Sequence, residues 1–187
     1  TGPLTRRGSG SRSPDTPRRI APASSVGPAQ SGPRRVRRSP ATLRPMSVPS
    51  SLQAVIDEFA GAPSALRLPL LLEYAGTLPP LPEALTGAED RFERVEECQT
   101  PLFLASEVEA GTVHVWFDAP EEAPTTRGFA SILATGLDGR TVDEVLAVPS
   151  DVASQFGLTE LISPLRLRGM EGMLRRLQRQ VREAAAA

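Results

Sequence analysis

The chain has 187 residues and a formal net charge of −1 at pH 7, from 21 basic and 22 acidic residues. That total conceals two unlike parts: residues 1–47 hold ten arginines and one acid, for a charge of +9, whereas residues 48–187 hold 11 arginines and 21 acids, for −10. All eight aromatic residues lie in the second part. Such an asymmetry predicts a tail over 1–47 and one globular domain of ordinary size over 48–187.

Composition also excludes several classes of protein and site. No apolar run approaches the roughly 18 residues of a transmembrane helix, and the N-terminus lacks the apolar core of a secretory signal. A single cysteine, Cys98, excludes an internal disulfide, a thiolate zinc site and an iron–sulfur cluster held by this chain alone. A single histidine, His114, excludes a multi-histidine metal site. We therefore expect a cytoplasmic protein without a membrane partner.

Residues 1–47 are rich in Arg, Ser, Pro and Gly and show no hydrophobic periodicity, which predicts disorder. Three interpretations are open. The arginine pairs suit electrostatic contact with nucleic acid, and the acid-poor composition suits a transit peptide, although the prolines oppose one. The third is that the segment precedes the true start, because the first methionine is Met46 and a chain without lysine is typical of GC-rich coding DNA. We favour the third and expect a native start near Met46.

Two helices are predicted to open the domain. Ser50 or Ser51 is a plausible N-cap for the first helix, which Gly61 ends. The second covers residues 66–75, where Pro69 should kink the helix or mark its first turn. Residues 77–90 contain three prolines and predict a long loop. The inward positions, at helical spacing, are Leu52, Val55, Ile56 and Phe59 in the first helix and Leu70, Leu71 and Tyr74 in the second.

Two strands follow, over residues 100–108 and 112–118, with a short hairpin loop at 109–111. Side chains alternate along the second strand, so one face comprises Val113, Val115 and Phe117, and the other comprises Thr112, His114, Trp116 and Asp118.

The remaining segments are predicted to be helical. Residues 125–137 form one helix, Thr141–Glu144 is a capping box that starts a short helix through Val148, and residues 149–151 start another that ends at Gly157. Ser163 and Pro164 then begin a last helix, whose apolar stripe is Met170, Met173, Leu174, Leu177 and Val181. Its other face carries Arg175, Arg176, Arg179 and Arg182, either solvated or docking on an acidic partner. The order of helices, antiparallel sheet and helices predicts an α+β fold.

Cys98 is the candidate nucleophile, at a loop–strand junction with polar neighbours. A lone cysteine is more often an inert, buried small residue. Pairing with His114 would suggest a thiol hydrolase, but the histidine lies mid-strand and no third orienting group is identifiable. Glu96 and Glu97 should raise the pKa of the thiol, so chemistry at Cys98 would need activation by a partner. The glycine-containing segments 136–139 and 168–172 are turn and helix features, not phosphate-binding loops.

The segment EECQTPLFLA around Cys98 resembles the active-cysteine segment of the SufE family, the sulfur-acceptor proteins of iron–sulfur cluster assembly. Three more blocks resemble the family in the same order: AVIDEFAGAPSALRLPLLLEYAGTLPPLP, TTRGFASILATGLDGRTVDEVLAV and FGLTELISPLRLRGMEGMLRRLQRQV. The resemblance covers about residues 50–183 and excludes 1–47. It implies a SufE/IscU-like fold, a small antiparallel sheet packed with helices.

The resemblance implies a sulfur carrier, not a classical enzyme. Such a protein takes sulfane sulfur from a PLP-dependent cysteine desulfurase as a persulfide, stimulates that enzyme and passes the sulfur to an iron–sulfur cluster scaffold. Cys98 matches the acceptor cysteine, and Gln99, Glu122 and Arg166 match positions expected at the partner interface. No cofactor or metal is implied, and neither is nucleic acid. Glu97 departs from the glycine that the family often has before the cysteine.

One further expectation concerns shelter, because a persulfide must be protected from reductants. Cys98 should lie on a loop that can tuck against apolar residues. The candidates for that shelter are Leu102, Phe103 and Phe129.

Overall fold

A computed structural model of the protein describes residues 48–187. The expectations for residues 1–47, namely disorder, the alternative roles of the arginine pairs and a start near Met46, lie outside the described residues. None of the helices within 48–187 combines the length and the hydrophobicity that a membrane-spanning segment requires.

Two helices open the domain, α1 (Ser50–Gly61) and α2 (Ser64–Ala75). The inward face of α1 is as predicted, but its N-cap is Pro49, and Ser51 instead donates a hydrogen bond to the carbonyl of Gly136 at 2.6 Å. The helix α2 begins two residues earlier than expected, so Pro69 lies inside it and not in its first turn. Two short 3-10 helices, Glu83–Leu85 and Glu89–Arg91, interrupt the predicted long loop.

The sheet has four antiparallel strands in the order β1–β2–β3–β4. They are β1 (Glu93–Arg94), β2 (Phe103–Glu109), β3 (Thr112–Asp118) and β4 (Arg140–Thr141). Ala110 and Gly111 join β2 to β3, and both have positive φ, 48° and 82°, as a two-residue primed hairpin turn requires. The burial of Val113, Val115 and Phe117 confirms that they share one face of β3 and identifies it as the inner face.

The helix α3 (Pro124–Leu137) lies at the centre of the domain and is buried along most of its length. Glycines allow its neighbours to approach closely. A Cβ added at Gly128 would lie 2.4 Å from the carbonyl oxygen of Leu71 in α2, and one added at Gly136 would lie 2.7 Å from Cδ1 of Leu52 in α1. Side chains at these two positions would hold the helices apart, so the glycines determine how tightly the helical layer packs.

The last third of the chain follows the prediction with small differences. Thr141 and Glu144 form the expected capping box of α4 (Val142–Leu146), which ends before Val148. A 3-10 helix, Val152–Phe156, replaces the predicted α-helix and ends at Gly157 with φ of 62°. The helix α5 (Pro164–Ala186) begins with the predicted proline. Its buried stripe is the predicted one and packs on β2, α3 and α4.

The core lies between the helices and the inner face of the sheet. This arrangement of helices around a small antiparallel sheet is the predicted α+β fold. The largest fully buried side chains come from every part of the domain: Phe59, Phe129, Phe156, Leu52, Leu71, Leu102, Leu104, Ile132, Leu133, Leu137, Leu158 and Met170.

Candidate functional site

Cys98 lies in the loop that connects β1 to β2. Arg94 pairs with Phe103 across the two strands, and the N–H of Val95 donates to the carbonyl of Leu102 at 2.9 Å, so both ends of the loop are held together. The N–H of Cys98 donates to the carbonyl of Val95 at 3.1 Å and closes a turn inside the loop. The expected strand start at residue 100 is therefore wrong, because β2 begins only where its partner β1 is present.

This loop packs on α5 at a place where two glycines leave the helix backbone uncovered by side chains. A Cβ added at Gly169 would lie 3.2 Å from Sγ of Cys98, and one added at Gly172 would lie 2.9 Å from Cδ of Glu97. Residues three apart share a helix face, so the two glycines form one continuous seat for the loop. The segment 168–172, predicted only as a helix feature, thus determines how closely Cys98 approaches α5.

The thiol of Cys98 is buried and protonated in this position. The residue is 8 % exposed and belongs to the hydrophobic core. Burial raises the pKa of the thiol from its ordinary value of 9.0 to about 11; the charge of Glu97 adds to the rise and the charge of Arg176 opposes it. At neutral pH the thiolate is therefore a much smaller fraction of the population than for an ordinary cysteine.

A pocket of about 280 Å³ opens beside Cys98. It joins segments that are distant in the chain: the loop 97–100, residues 122–126 at the start of α3 with Phe129, and the first turns of α5. Gln99, Glu122 and Arg166 all line it and are all exposed. The structure therefore brings the four residues singled out by the sequence to one place, with the cysteine inside and the three polar residues at the rim.

The apolar shelter differs in part from the expectation. Phe129 lines the pocket as predicted, together with Met173, which sequence reasoning placed only in the core stripe of α5. Leu102 is fully buried but does not line the pocket. Phe103 lines a different cavity, beside Leu85 in the 3-10 helix Glu83–Leu85, so its prediction was wrong. The side chain of Phe103 lies on the opposite face of β2 from its buried neighbour Leu104, because side chains alternate along a strand.

Ion pairs tie the loop to α5. The guanidinium of Arg176 donates to Oε1 of Glu93 at 2.9 Å and to Oε2 of Glu97 at 2.8 Å, and Arg175 lies 3.5 Å from Glu97. Burial tends to raise the pKa of Glu97, but its hydrogen bonds to backbone and to Arg176, with the charges of both arginines, outweigh burial and lower it. Both carboxylates therefore remain ionised at neutral pH.

Three of the four arginines on this face of α5 are thus paired within the chain, whereas Arg182 is exposed. Arg175, Arg176 and Arg179 pair with acids of the same chain, Arg179 bridging Glu93 and Glu183. In the sequence, these ion pairs were indicated only by the acidic residues before Cys98. Their arginine partners could not be identified without the position of α5 beside the loop.

His114 lies apart from this pocket. Its Nδ1 is 3.5 Å from Oδ1 of Asp138, its ring stacks on Trp116 with centroids 6.2 Å apart, and it is not among the residues that line the pocket of Cys98. The geometry therefore offers no Cys–His pair for hydrolysis. Across residues 48–187, no group of three or more His, Cys, Asp or Glu side chains is placed to hold a metal ion.

Comparison with known proteins identifies relatives of the domain. An uncharacterised SufE-like protein of Mycobacterium tuberculosis strain H37Rv is 52 % identical over 141 residues, which are 75 % of this chain and 97 % of that protein. The SufE-like protein 1 (chloroplastic/mitochondrial) of Arabidopsis thaliana is 29 % identical over 141 residues, 74 % of this chain and 37 % of that protein. The solution structure of a hypothetical protein from Thermus thermophilus is similar with a TM-score of 0.67 and 44 % identity, covering 75 % of this chain and all of that one.

The family comparison agrees with the architecture and with the relatives. The family model of the Fe-S metabolism associated domain matches residues 53–181, from the first turn of α1 to the end of the buried stripe of α5, and includes the whole pocket around Cys98. The chain belongs to the SufE family and has a role in iron–sulfur metabolism.

Proposed function

We propose that this protein takes sulfane sulfur from a PLP-dependent cysteine desulfurase as a persulfide on Cys98 and passes it to an iron–sulfur cluster scaffold. One observation carries the proposal. The only cysteine of the chain lies in a sheltered pocket of the SufE domain, 8 % exposed, with polar residues at the rim. A carrier needs this combination, since its sulfur must be protected between partners yet lie close to the surface.

The chemistry is a thiol exchange that needs one nucleophile. The thiolate of Cys98 attacks the terminal sulfur of the desulfurase persulfide; a new sulfur–sulfur bond forms on Cys98, and the old bond breaks to release the desulfurase thiolate. No net oxidation occurs. A second exchange with an acceptor on the scaffold regenerates the Cys98 thiol. The carrier itself needs no cofactor and no metal for either step, so it acts as carrier and activator, not as an independent enzyme.

The partner supplies the activation. Burial keeps the Cys98 thiol protonated, with its pKa raised to about 11, so a base or a positive charge from the desulfurase has to stabilise the thiolate on docking. Gln99, Glu122 and Arg166 are exposed at the rim, where a docking protein would reach them first. We propose that these three residues form part of the partner interface.

The domain over 48–187 is proposed to carry the whole activity in the cytoplasm. Its charge of −10 disfavours nucleic acid as a partner. Removing residues 1–47 should leave sulfur transfer intact, whereas a requirement for the tail in this assay would contradict the proposed division of the chain.

A desulfurase assay tests the proposal directly. The unmodified protein should stimulate sulfide release and gain about 32 Da, whereas Cys98→Ser should do neither, because the exchange requires a thiolate. Arg166→Ala should weaken stimulation while Cys98 still reacts with a small alkylating agent, which would separate docking from chemistry. Stimulation that survives Cys98→Ser would end the persulfide proposal.

A further inference from the structure

One guanidinium spans the base and the tip of the Cys98 loop. Arg176 in α5 bonds Glu93, in β1 at the base of the loop, and Glu97, next to Cys98 at its tip, at 2.9 Å and 2.8 Å. We call the three residues Glu93, Glu97 and Arg176 the clasp. Arg179 and Gln180 of α5 also bind Glu93 at the base, whereas at the tip Glu97 is hydrogen-bonded to Arg176 at 2.8 Å and lies 3.5 Å from Arg175.

The clasp is partly shielded from water. The side chain of Arg176 is 20 % exposed, and its Nε is buried without a hydrogen-bond partner in the described part of the chain. Charge-assisted hydrogen bonds from a planar guanidinium to two carboxylates are among the stronger polar contacts in proteins, and shielding from solvent strengthens them. The orientation of Arg176 is therefore determined by the two carboxylates and not by Nε.

The clasp and the glycine seat act on the same atoms. The Glu97 side chain lies over Gly172, and Sγ of Cys98 lies over Gly169 one turn away. Thr100 Oγ1 ties the far side of the loop to Thr126 Oγ1 of α3 at 3.2 Å. Cys98 thus cannot move outward as a unit with Glu97 unless Glu97 leaves Arg176.

We propose that the clasp is a lock: it holds Cys98 inside its pocket until a docking partner separates Glu97 from Arg176. Arg176 is then a positioning residue, which acts on the thiol through Glu97 and not by touching the sulfur. The lock deepens the proposed function and rests on it only for the identity of the partner. The resting state it describes can be measured without any partner.

The test is the rate at which Cys98 reacts with iodoacetamide, an uncharged probe, in the full chain, followed by mass spectrometry. Arg176→Gln should accelerate the reaction about five- to tenfold, the range that a partly shielded ion pair supports. Electrostatics alone would do the opposite, because the positive charge of Arg176 lowers the pKa of the thiol and its loss would leave less thiolate. The direction of the change therefore distinguishes release of the loop from a change in pKa.

Glu96→Gln is the matched control. It is matched to Glu97→Gln, because it removes a carboxylate charge one residue farther from Cys98, but Glu96 is exposed and lies 3.7 Å from Arg94, outside the clasp. Its alkylation rate should equal that of the unmodified protein. In the double variant Glu97→Gln/Arg176→Gln, the Cys98 amide should exchange its hydrogen no faster than in Arg176→Gln alone, because both substitutions open the same contact.

Hydrogen exchange of the Cys98 amide provides an independent readout, since this N–H is bonded to Val95 inside the closed loop. Arg176→Gln and Glu97→Gln should each lose protection there, while Glu96→Gln should retain it. If near-ultraviolet circular dichroism shows that Arg176→Gln does not fold, hydrogen exchange of the Cys98 amide in Glu97→Gln tests the lock instead. An unchanged or slower alkylation of folded Arg176→Gln, or full amide protection in Glu97→Gln, would refute the lock. Neither result depends on sulfur transfer, so failure of the lock and failure of the proposed function remain distinguishable.

Discussion

Replacing Cys98 by serine should remove a specific loss of stability at alkaline pH. Burial raises the pKa of the Cys98 thiol in the folded protein from 9.0 to about 11. The unfolded chain therefore releases this proton first as the pH rises, and the folded state binds more protons between the two values. The contribution of the Cys98 thiol to the free energy of unfolding is fully present below the pKa of the unfolded state. It is lost as the pH rises toward the pKa of the folded state.

The magnitude follows from the two pKa values. Each unit of difference corresponds to about 1.4 kcal/mol, so between about pH 8 and about pH 10 the free energy of unfolding should fall by about 1.3 kcal/mol through Cys98 alone. The Cys98→Ser protein should lack this decline, because a serine hydroxyl does not titrate in this range. Its stability will be lower at all pH values, but the change with pH is the quantity compared.

Urea unfolding of both proteins at the two pH values measures the difference. The composition makes this comparison unusually clean, since the chain has no lysine and only one tyrosine. Tyr74, whose pKa is raised by burial and by its hydrogen bond to Glu58, titrates equally in both proteins and cancels in the difference. Cys98→Ala is a second variant that lacks the titrating thiol and any hydroxyl.

Equal declines in the unmodified and serine proteins would refute the reasoning. That outcome would mean that the thiol titrates near its ordinary pKa in the folded state, so that the loop exposes Cys98 to water most of the time. The need for a partner to activate the thiol would then lose its physical basis.

Two further predictions concern the scaffold of the site. Gly128→Ala should reduce the free energy of unfolding by about 2 kcal/mol despite a better helix propensity, because the new methyl would lie 2.4 Å from the backbone oxygen of Leu71; Gly61→Ala, whose Cβ would meet nothing within 4 Å, should not destabilise. Thr141→Ala should cost about 1 kcal/mol in the same urea assay, because it removes the side-chain bond to the Glu144 N–H in the capping box; an unchanged midpoint would contradict the role of that cap.

The sequence predicted the long elements well and the short ones poorly. The inner faces of α1, β3 and α5 were recognised because their apolar residues repeat at helical or strand spacing over several turns or pairs. The strands β1 and β4 have two residues each, too few to show any period, and were missed. As a result, Cys98 was expected before a first strand and not within a loop clamped between two strands.

The site could be predicted as a set of residues but not as an environment. The polar neighbours of Cys98 suggested that the thiol need not be buried, yet it is 8 % exposed. Local polarity misled because Glu96 and Gln99 point outward on either side of a cysteine that packs on Gly169 of α5, 71 positions later in the chain. Similarly, the sequence did not indicate that Arg176 lies between the carboxylates of Glu93 and Glu97.

Composition and pattern by themselves determined that this is an α+β domain preceded by a basic segment, with one nucleophile and family motifs around it. Those features depend on residues that are close in sequence or on simple sums over the chain, so they can be recognised without the tertiary structure. Only the tertiary structure decided how deeply the thiol is buried, that burial is the main cause of its raised pKa and that a guanidinium of α5 pairs with its loop. The reason is that desolvation and ion pairing depend on distances between segments far apart in sequence, and those distances exist only once the core has packed.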